Sequence, residues 1–428
     1  MGDPSPPAPQ PDVHASEPAL PRFDWSLALL GLCVFTFVIV TYYVRIAEVG
    51  IAIAALGLAL QLGRLRLPFP VWLYGAFVLW AFAASFASPY PEIAREQVLE
   101  HLKQFAIMLI VVNALRTAGQ LRFYLLFFLG CFVLFPLRGT LVSFASGNNV
   151  FGRALWNYIY NNPNDLAALS LLALGVALAL AFALPPRSLA RLGAGVSAIL
   201  LLVVILMTQS RGAAIGLVAG MGPAFVVLGL KRPKFLALAV VLGVVVALAL
   251  PAGVWQRLSG IEKLTRVSTI ADADPEGSAA QRFEINKVAW KIFSDSPVFG
   301  VGLGAYQQAN AVYAPELGMR DTHNTYLSLA AEVGLPGLLL WCALFGSVLR
   351  YAHRRRRLAA PGALAVQQVW IERALRGYLV TGLFATVMAL TFPYLMLAVL
   401  WSSAALMASA PPGAASAAEE NGRNRAAS

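Results

Sequence analysis

The sequence predicts an all-α, polytopic membrane protein of about twelve transmembrane helices, with one large loop that itself contains helices. Three observations carry this expectation. Of 428 residues, 59% are hydrophobic and only 12% charged, with a mean hydropathy of +0.69; a water-soluble domain of this size does not have that composition. Apolar runs of the ~20-residue class recur along the chain. The turns between alternate runs are short and carry Arg and Lys, the pattern of membrane topology signals.

The spans are expected near 25–44, 47–63, 70–88, 104–116, 121–142, 165–184, 193–209, 212–230, 235–254, 324–349, 374–390 and 392–409. The organisation is then a polar tail (1–22), nine spans (23–254), a large loop (255–322), three spans (323–409) and a second polar tail (410–428). Both tails are rich in Ala, Pro and Ser, a composition that buries too little to fold alone. The first tail has no basic n-region and no small-residue cleavage site follows the first run, so that run reads as a retained helix.

Orientation follows from the basic loops. With the N-terminus inside, Arg64 and Arg66, Arg116 and Arg122, Arg187 and Arg191, Lys231 to Lys234, and Arg354 to Arg357 all fall on the inner side. The outer side then receives a loop near 89–103, another near 143–164, the tight turn Thr208-Gln209-Ser210-Arg211-Gly212, and the large loop. The net charge of +11 is scattered through short loops, which points to lipid contacts and excludes nucleic acid as a partner. Cys33, Cys131 and Cys342 lie inside apolar runs and read as small core residues.

Within the large loop, Ser278-Ala-Ala-Gln281 is a capping box that starts a helix. Ile285, Val288, Ala289 and Ile292 form its apolar stripe, and Pro297 stops it. Arg282, Lys287 and Lys291 sit on that helix.

The stretch Asp321–Leu340 passes from a polar segment into a span. His323, one of four histidines, stands at the border. Thr325, Ser328 and Glu332 follow on one helix face. Glu332 lies about 13 Å further into the span than His323, where a carboxyl group must face protein or water. His323 is either an interfacial polar residue or a general base, since an imidazole titrates near 6.5. Asp321 and Thr322 are candidate helix caps. Arg211, flanked by apolar runs, is either a snorkelling anchor or an anion clamp. Asn161-Asn-Pro-Asn-Asp165 is a turn and cap that could also bind sugar hydroxyls or orient an arginine; Trp156, Tyr158 and Tyr160 beside it are either interfacial aromatics or stacking platforms.

Gly300-Val-Gly-Leu-Gly304 follows a proline in a loop rather than a strand, so it is not a nucleotide fingerprint. Asp272 and Asp274 are either a cation-binding pair or a solvated acidic turn. No His/Cys cluster or serine elbow stands out, so no metal ligand is expected. One base and two arginines on one membrane face suit attack of a sugar hydroxyl on the anomeric carbon of a lipid-diphosphate-linked glycan. The base takes the proton, and the departing diphosphate needs positive charge more than it needs an acid.

Thr208-Gln-Ser-Arg211-Gly-Ala, Pro297-Val-Phe-Gly-Val-Gly-Leu-Gly304 and His323-Asn-Thr-Tyr-Leu-Ser-Leu-Ala-Ala-Glu332-Val-Gly-Leu-Pro-Gly337, with Pro163-Asn164-Asp165 at the start of a span, resemble the motif-bearing half of the O-antigen ligase and polymerase superfamily. The resemblance covers roughly 150–350. It implies a metal-independent, inverting glycosyltransferase of the bacterial inner membrane, without cofactor, whose large loop is periplasmic. The donor it implies is an undecaprenyl-diphosphate-linked glycan, and for the ligases the acceptor is the lipid A-core oligosaccharide. By position, His323 matches the family's base, and Arg211 and Arg282 its diphosphate-binding arginines. Asn164, Asp165, Arg153, Tyr326 and Glu332 are the candidate substrate-binding residues. Ligase is the first expectation. O-antigen or exopolysaccharide polymerase and protein O-oligosaccharyltransferase are the alternatives within the superfamily. A secondary transporter would show repeated halves and broken helices near the midplane.

Overall fold

The computed structural model describes residues 23–42, 46–233 and 278–408. Helices make up most of it; among the described residues the β-structure is a single bridge between Val150 and Arg153. In order they are α1 (Phe23–Thr41), α2 (Ala47–Ala59), α3 (Phe69–Ser85), α4 (Pro91–Ala114), α5 (Ala118–Phe132), α6 (Arg138–Ala145), α7 (Pro163–Ala183), α8 (Leu189–Met207), α9 (Arg211–Lys231), α10 (Ser278–Asp295), α11 (Tyr306–Tyr313), α12 (Thr325–Leu358), α13 (Ala363–Thr381) and α14 (Thr391–Ala408). A π-helical turn at Val133–Leu137, containing Pro136, joins α5 to α6, the expected place for a bulge.

Six of the described helices are long and apolar enough to cross a membrane: Ala118–Ala145, Pro163–Ala183, Leu189–Met207, Arg211–Lys231, Thr325–Leu358 and Thr391–Ala408. Three more, Ser26–Thr41, Ala47–Ala59 and Phe69–Ser85, are apolar but shorter. The span expected over 235–254, both tails, Asp272 and Asp274 lie outside the described residues.

Two of the expected spans take a different form. The loop expected near 89–103 and the short span at 104–116 are one helix, α4. Pro91 at its N-terminus and Glu92 in its first turn start it. Its charged residues face out while Ala94, Val98, His101 and Gln104 share a buried face, a 3.6-residue period that average hydropathy hides. The span expected at 374–390 instead begins at Ala363 and stops at Thr381. Its polar first half is tolerated because buried Glu372 is closed off by Arg376 (2.5 Å), Arg356 (3.4 Å) and His353 (3.4 Å). Residues 382–390 form a non-helical linker to α14.

Helices α7 and α14 are apolar all round and sit at the centre, buried along most of their length. Glycines let α13 lie against both α7 and α9. A Cβ at Gly216 would meet the Gly377 carbonyl oxygen at 2.5 Å, and one at Gly175 would run into Ala374, so these backbones approach as closely as small residues permit. Cys33 and Cys131 are buried and Cys342 is half-buried, all three as free thiols.

Candidate active site

The N-termini of α7, α9 and α12 and the C-termini of α8 and α13 meet at one end of the bundle, joined by hydrogen bonds between their loops. The α8–α9 turn is held from three sides. Ser210 caps α9 by accepting from the Ala213 N–H (3.4 Å), Ala154 N–H donates to the Met207 carbonyl (2.9 Å), and Gln209 Nε2 donates to the Gly152 carbonyl (2.9 Å). Gln209 has a φ of 52°, a strained conformation for a residue with a side chain. Arg211 follows as the first residue of α9, half-buried.

Arg153 ties this turn to α7. Its Nε donates to the Thr208 carbonyl (2.8 Å) and its Nη2 to Asn164 Oδ1 (2.9 Å). Asn162 caps α7, accepting from the Asn164 N–H (2.9 Å), so the turn-and-cap reading of this segment holds. Asp165, in the first turn of α7, is within electrostatic reach of Asp321. Arg153, Asn164 and Asp165 are therefore brought together with the α8–α9 turn. Of the neighbouring aromatics, Tyr160 is buried against Phe132 and Trp156, while Tyr158 is exposed and stacks on Tyr42.

His323 precedes α12 with a φ of 50°. The helix cap is Asn324, whose side chain accepts from the N–H groups of Tyr326 (3.0 Å) and Leu327 (3.1 Å). Asp321 and Thr322, the expected caps, are used elsewhere. Thr386 Oγ1 donates to Asp321 (2.7 Å) and lies 3.0 Å from the Thr322 hydroxyl. Thr325 closes the same seam: its N–H donates to the Gly382 carbonyl (2.7 Å), and its hydroxyl donates to the Ala385 carbonyl (2.7 Å) and accepts from Val387 N–H (3.0 Å). Tyr326 donates to the Leu379 carbonyl (2.8 Å), so its hydroxyl serves as a clamp between α12 and α13.

The 382–387 linker thus holds the base loop, and it also touches the arginine turn. A Cβ on Gly212 would fall 2.5 Å from Phe384 Cβ. Arg211 and His323 are in this way brought to the two flanks of one linker. Hydropathy conceals this element, although Gly382 just past a helix end and Pro393 shortly after it are stop and start signals. Thr386 and Phe384 are functional candidates that the sequence reading missed for that reason.

Arg282 arrives on α10. Ile285, Ala289 and Ile292 pack with Ala331 of α12 and with Tyr306 and Ala309 of α11; the apolar stripe expected from the sequence is the docking face. Tyr306 Oη donates to the Ile285 carbonyl (3.1 Å). The result is that the Arg282 guanidinium acts electrostatically on His323. Burial and then Arg282 push the imidazole pKa below its usual 6.5, while Asp321 pulls it back up.

The glycine-rich loop has a structural role. Gly334 (φ 66°) breaks α12, which frees carbonyls that a straight helix would use itself. Val301 and Gly302 N–H groups donate to the Ala331 (2.9 Å) and Glu332 (2.8 Å) carbonyls, and Trp80 Nε1 donates to the Val333 carbonyl (2.8 Å). Gly304 N–H donates to Glu332 Oε2 (2.8 Å), and Ser328 donates to Oε1 (3.3 Å). Glu332 is 3% exposed and both its oxygens are engaged, so it positions this loop and does not face an open surface. Among the described residues no group of three His, Cys, Asp or Glu side chains converges.

Residues 196–342 match the family model described as O-antigen ligase. The chain is thus similar to O-antigen ligases over this stretch, about a third of its length. The matched region contains Arg211, Arg282 and His323, whereas Arg153, Asn164 and Asp165 precede it. No curated protein matches the sequence. The six long apolar helices and the similarity over 196–342 agree with a multi-pass membrane protein.

Proposed function

We propose that the protein is an O-antigen ligase of the bacterial inner membrane, transferring an undecaprenyl-diphosphate-linked glycan to a lipid A-core sugar hydroxyl on the periplasmic face. The observation that carries this reading is the meeting of an imidazole and a guanidinium in each other's field at the end of the bundle where Arg211 also lies. In this reading His323 accepts the proton of the acceptor hydroxyl. The oxygen attacks the anomeric carbon from the face opposite the diphosphate and inverts its configuration. The bond from that carbon to the diphosphate oxygen breaks, and undecaprenyl diphosphate leaves with the electron pair. Arg211 and Arg282 hold the charge that develops there, and guanidinium is suited to it because it remains charged and can grip two oxygens at once. A lowered imidazole pKa keeps His323 unprotonated near neutrality, the state a base must be in.

Arg153 and Asp165 support the reading as a second polar layer, with Arg153 fixing Asn164 and the α8–α9 turn. The test is His323→Ala and Arg211→Ala in cells lacking the native gene. Each is expected to lower glycan transfer by about 10²–10³ or more with the protein still inserted; normal surface polysaccharide in either strain rejects the assigned roles. A polymerase of the same superfamily shares this chemistry. In the deletion strain, accumulation of polymerised lipid-linked glycan marks a ligase and accumulation of single repeat units marks a polymerase.

A further inference from the structure

The end of the bundle away from His323 holds an open groove of about 860 Å³ between α7, α8 and α9. Its walls are apolar: Leu174 and Leu178 from α7, Leu192, Val196 and Ile199 from α8, and Val218 from α9. Leu192 and Val218 are well exposed. Arg187 and Arg191 stand on the rim, at the turn where Ser188 caps α8 by accepting from the Arg191 N–H (3.2 Å). Arg191 also reaches the Leu184 carbonyl (3.4 Å), which fixes its stem beside the groove. Lys231 and Arg232 end α9 toward the same side, and no Asp or Glu occurs between Leu166 and Arg232. The three helices that form the groove thus bring positive charge to its rim and no acid to neutralise it.

This is not the donor's diphosphate site. Along α8, Arg191 lies about 24 Å from Met207 and the Arg211 turn, too far for one diphosphate to engage both. An acyl chain in a bilayer is already out of water, so an apolar groove supplies shape but little preference. Any preference has to come from the charged rim, and a guanidinium pair matches a phosphodiester anion.

We propose that this groove is a binding site for one anionic phospholipid, its headgroup phosphate on Arg187 and Arg191 and an acyl chain along α8 and α9. In the orientation given above the site faces the cytoplasmic leaflet. Two basic residues predict a preference for phosphatidylglycerol over phosphatidylethanolamine of about tenfold or more.

Native mass spectrometry of the full chain in detergent, titrated with phosphatidylglycerol, phosphatidylethanolamine or undecaprenyl phosphate, tests the proposal. One phosphatidylglycerol should be retained with that preference. The double variant Arg187→Gln, Arg191→Gln should lose the preference while keeping its detergent Tm and its glycan transfer. Gly195→Phe, placed where a Cβ meets nothing within 4 Å, should displace phosphatidylglycerol with both arginines intact. Equal retention of the two phospholipids, or unchanged retention in both variants, overturns the proposal. So does tighter binding of undecaprenyl phosphate, which would give the groove to the donor lipid. So does a cross-link from a cysteine at Val196 to residues 235–254 that phosphatidylglycerol does not block, which would give it to the chain itself.

Discussion

At the basic end of the bundle, Arg116 donates to the Arg64 carbonyl (2.6 Å) and to Asn113 Oδ1 (2.9 Å), and Arg376 and Arg356 close on buried Glu372. At the opposite end Arg282 stands in the field of His323, and a web of backbone bonds fixes the loops that carry the polar groups. There Arg116 caps a carbonyl and Arg356 and Arg376 neutralise a carboxylate, so the charge of these three is spent on holding helices together. In the second, Arg153, threonines and main chain hold the structure, and Arg282, Asp321 and His323 bear on one another. Arginine content alone separates neither region from the other; what the guanidiniums face does.

The two regions should respond in opposite ways to the loss of a central side chain. His323→Ala should lower glycan transfer by about 10²–10³ with an unchanged detergent Tm, whereas Glu372→Ala should do the reverse. Removing that carboxylate leaves guanidiniums without their partner. The cost is about 2 kcal/mol, discounted from the ~3–5 kcal/mol of a fully buried pair because Arg376 is 43% exposed. Denaturation in detergent alongside a transfer assay measures both, and a Glu372→Ala protein that is stable but inactive would erase the distinction.

A smaller effect is expected from Glu332→Ala. The Gly304 N–H would lose its acceptor inside the fold, at about 1–3 kcal/mol, with a partial loss of transfer as the α10–α11 segment loosens. Thermal unfolding in detergent and limited proteolysis within 297–320 measure it.

Transfer should also depend on pH. As the proposed base, His323 has to be neutral, so transfer should fall as pH drops through its lowered pKa. Arg282→Gln removes a cause that lowers that pKa; the acid limb should move to higher pH in whatever activity remains. Asp321→Asn removes a cause that raises it, and the limb should move to lower pH. Shifts in the opposite sense would show that the limb belongs to another group. The smallest effect on transfer is expected at Gly212→Ala. Its methyl would press on Phe384 Cβ and displace the linker, at about 1–3 kcal/mol as overpacking, with a modest fall in transfer that Phe384→Leu partly restores.

Most of the helices were legible in the sequence because burial in a bilayer writes long apolar runs, and α7 or α9 is little else. Arg211 and His323 stand out in the sequence as polar groups at the edge of an apolar run, whereas Arg282, on an amphipathic helix, is singled out by the resemblance alone. What escaped was structure whose signal is not hydropathy. Helix α4 is amphipathic, and its charged face made it look like a loop. The 382–390 linker is apolar, so it looks like a span, although its Gly382, Ala385 and Val387 peptide groups bond to Thr325 of α12. Thr386 is one hydroxyl in an apolar stretch, and only tertiary contact reveals that it faces Asp321. Glu332 stood out correctly as an acid that needs company, yet a sequence does not disclose that its company is the Gly304 amide and Ser328.

The break at Gly334 carries a mechanical consequence. Because the 297–304 loop hangs from the backbone of α12 at Ala331 and Glu332, the helix bearing Arg282 and the helix headed by His323 travel as one block. A bulky donor cannot be admitted by prising that pair apart. On the proposed function, room for it has to open outside that block.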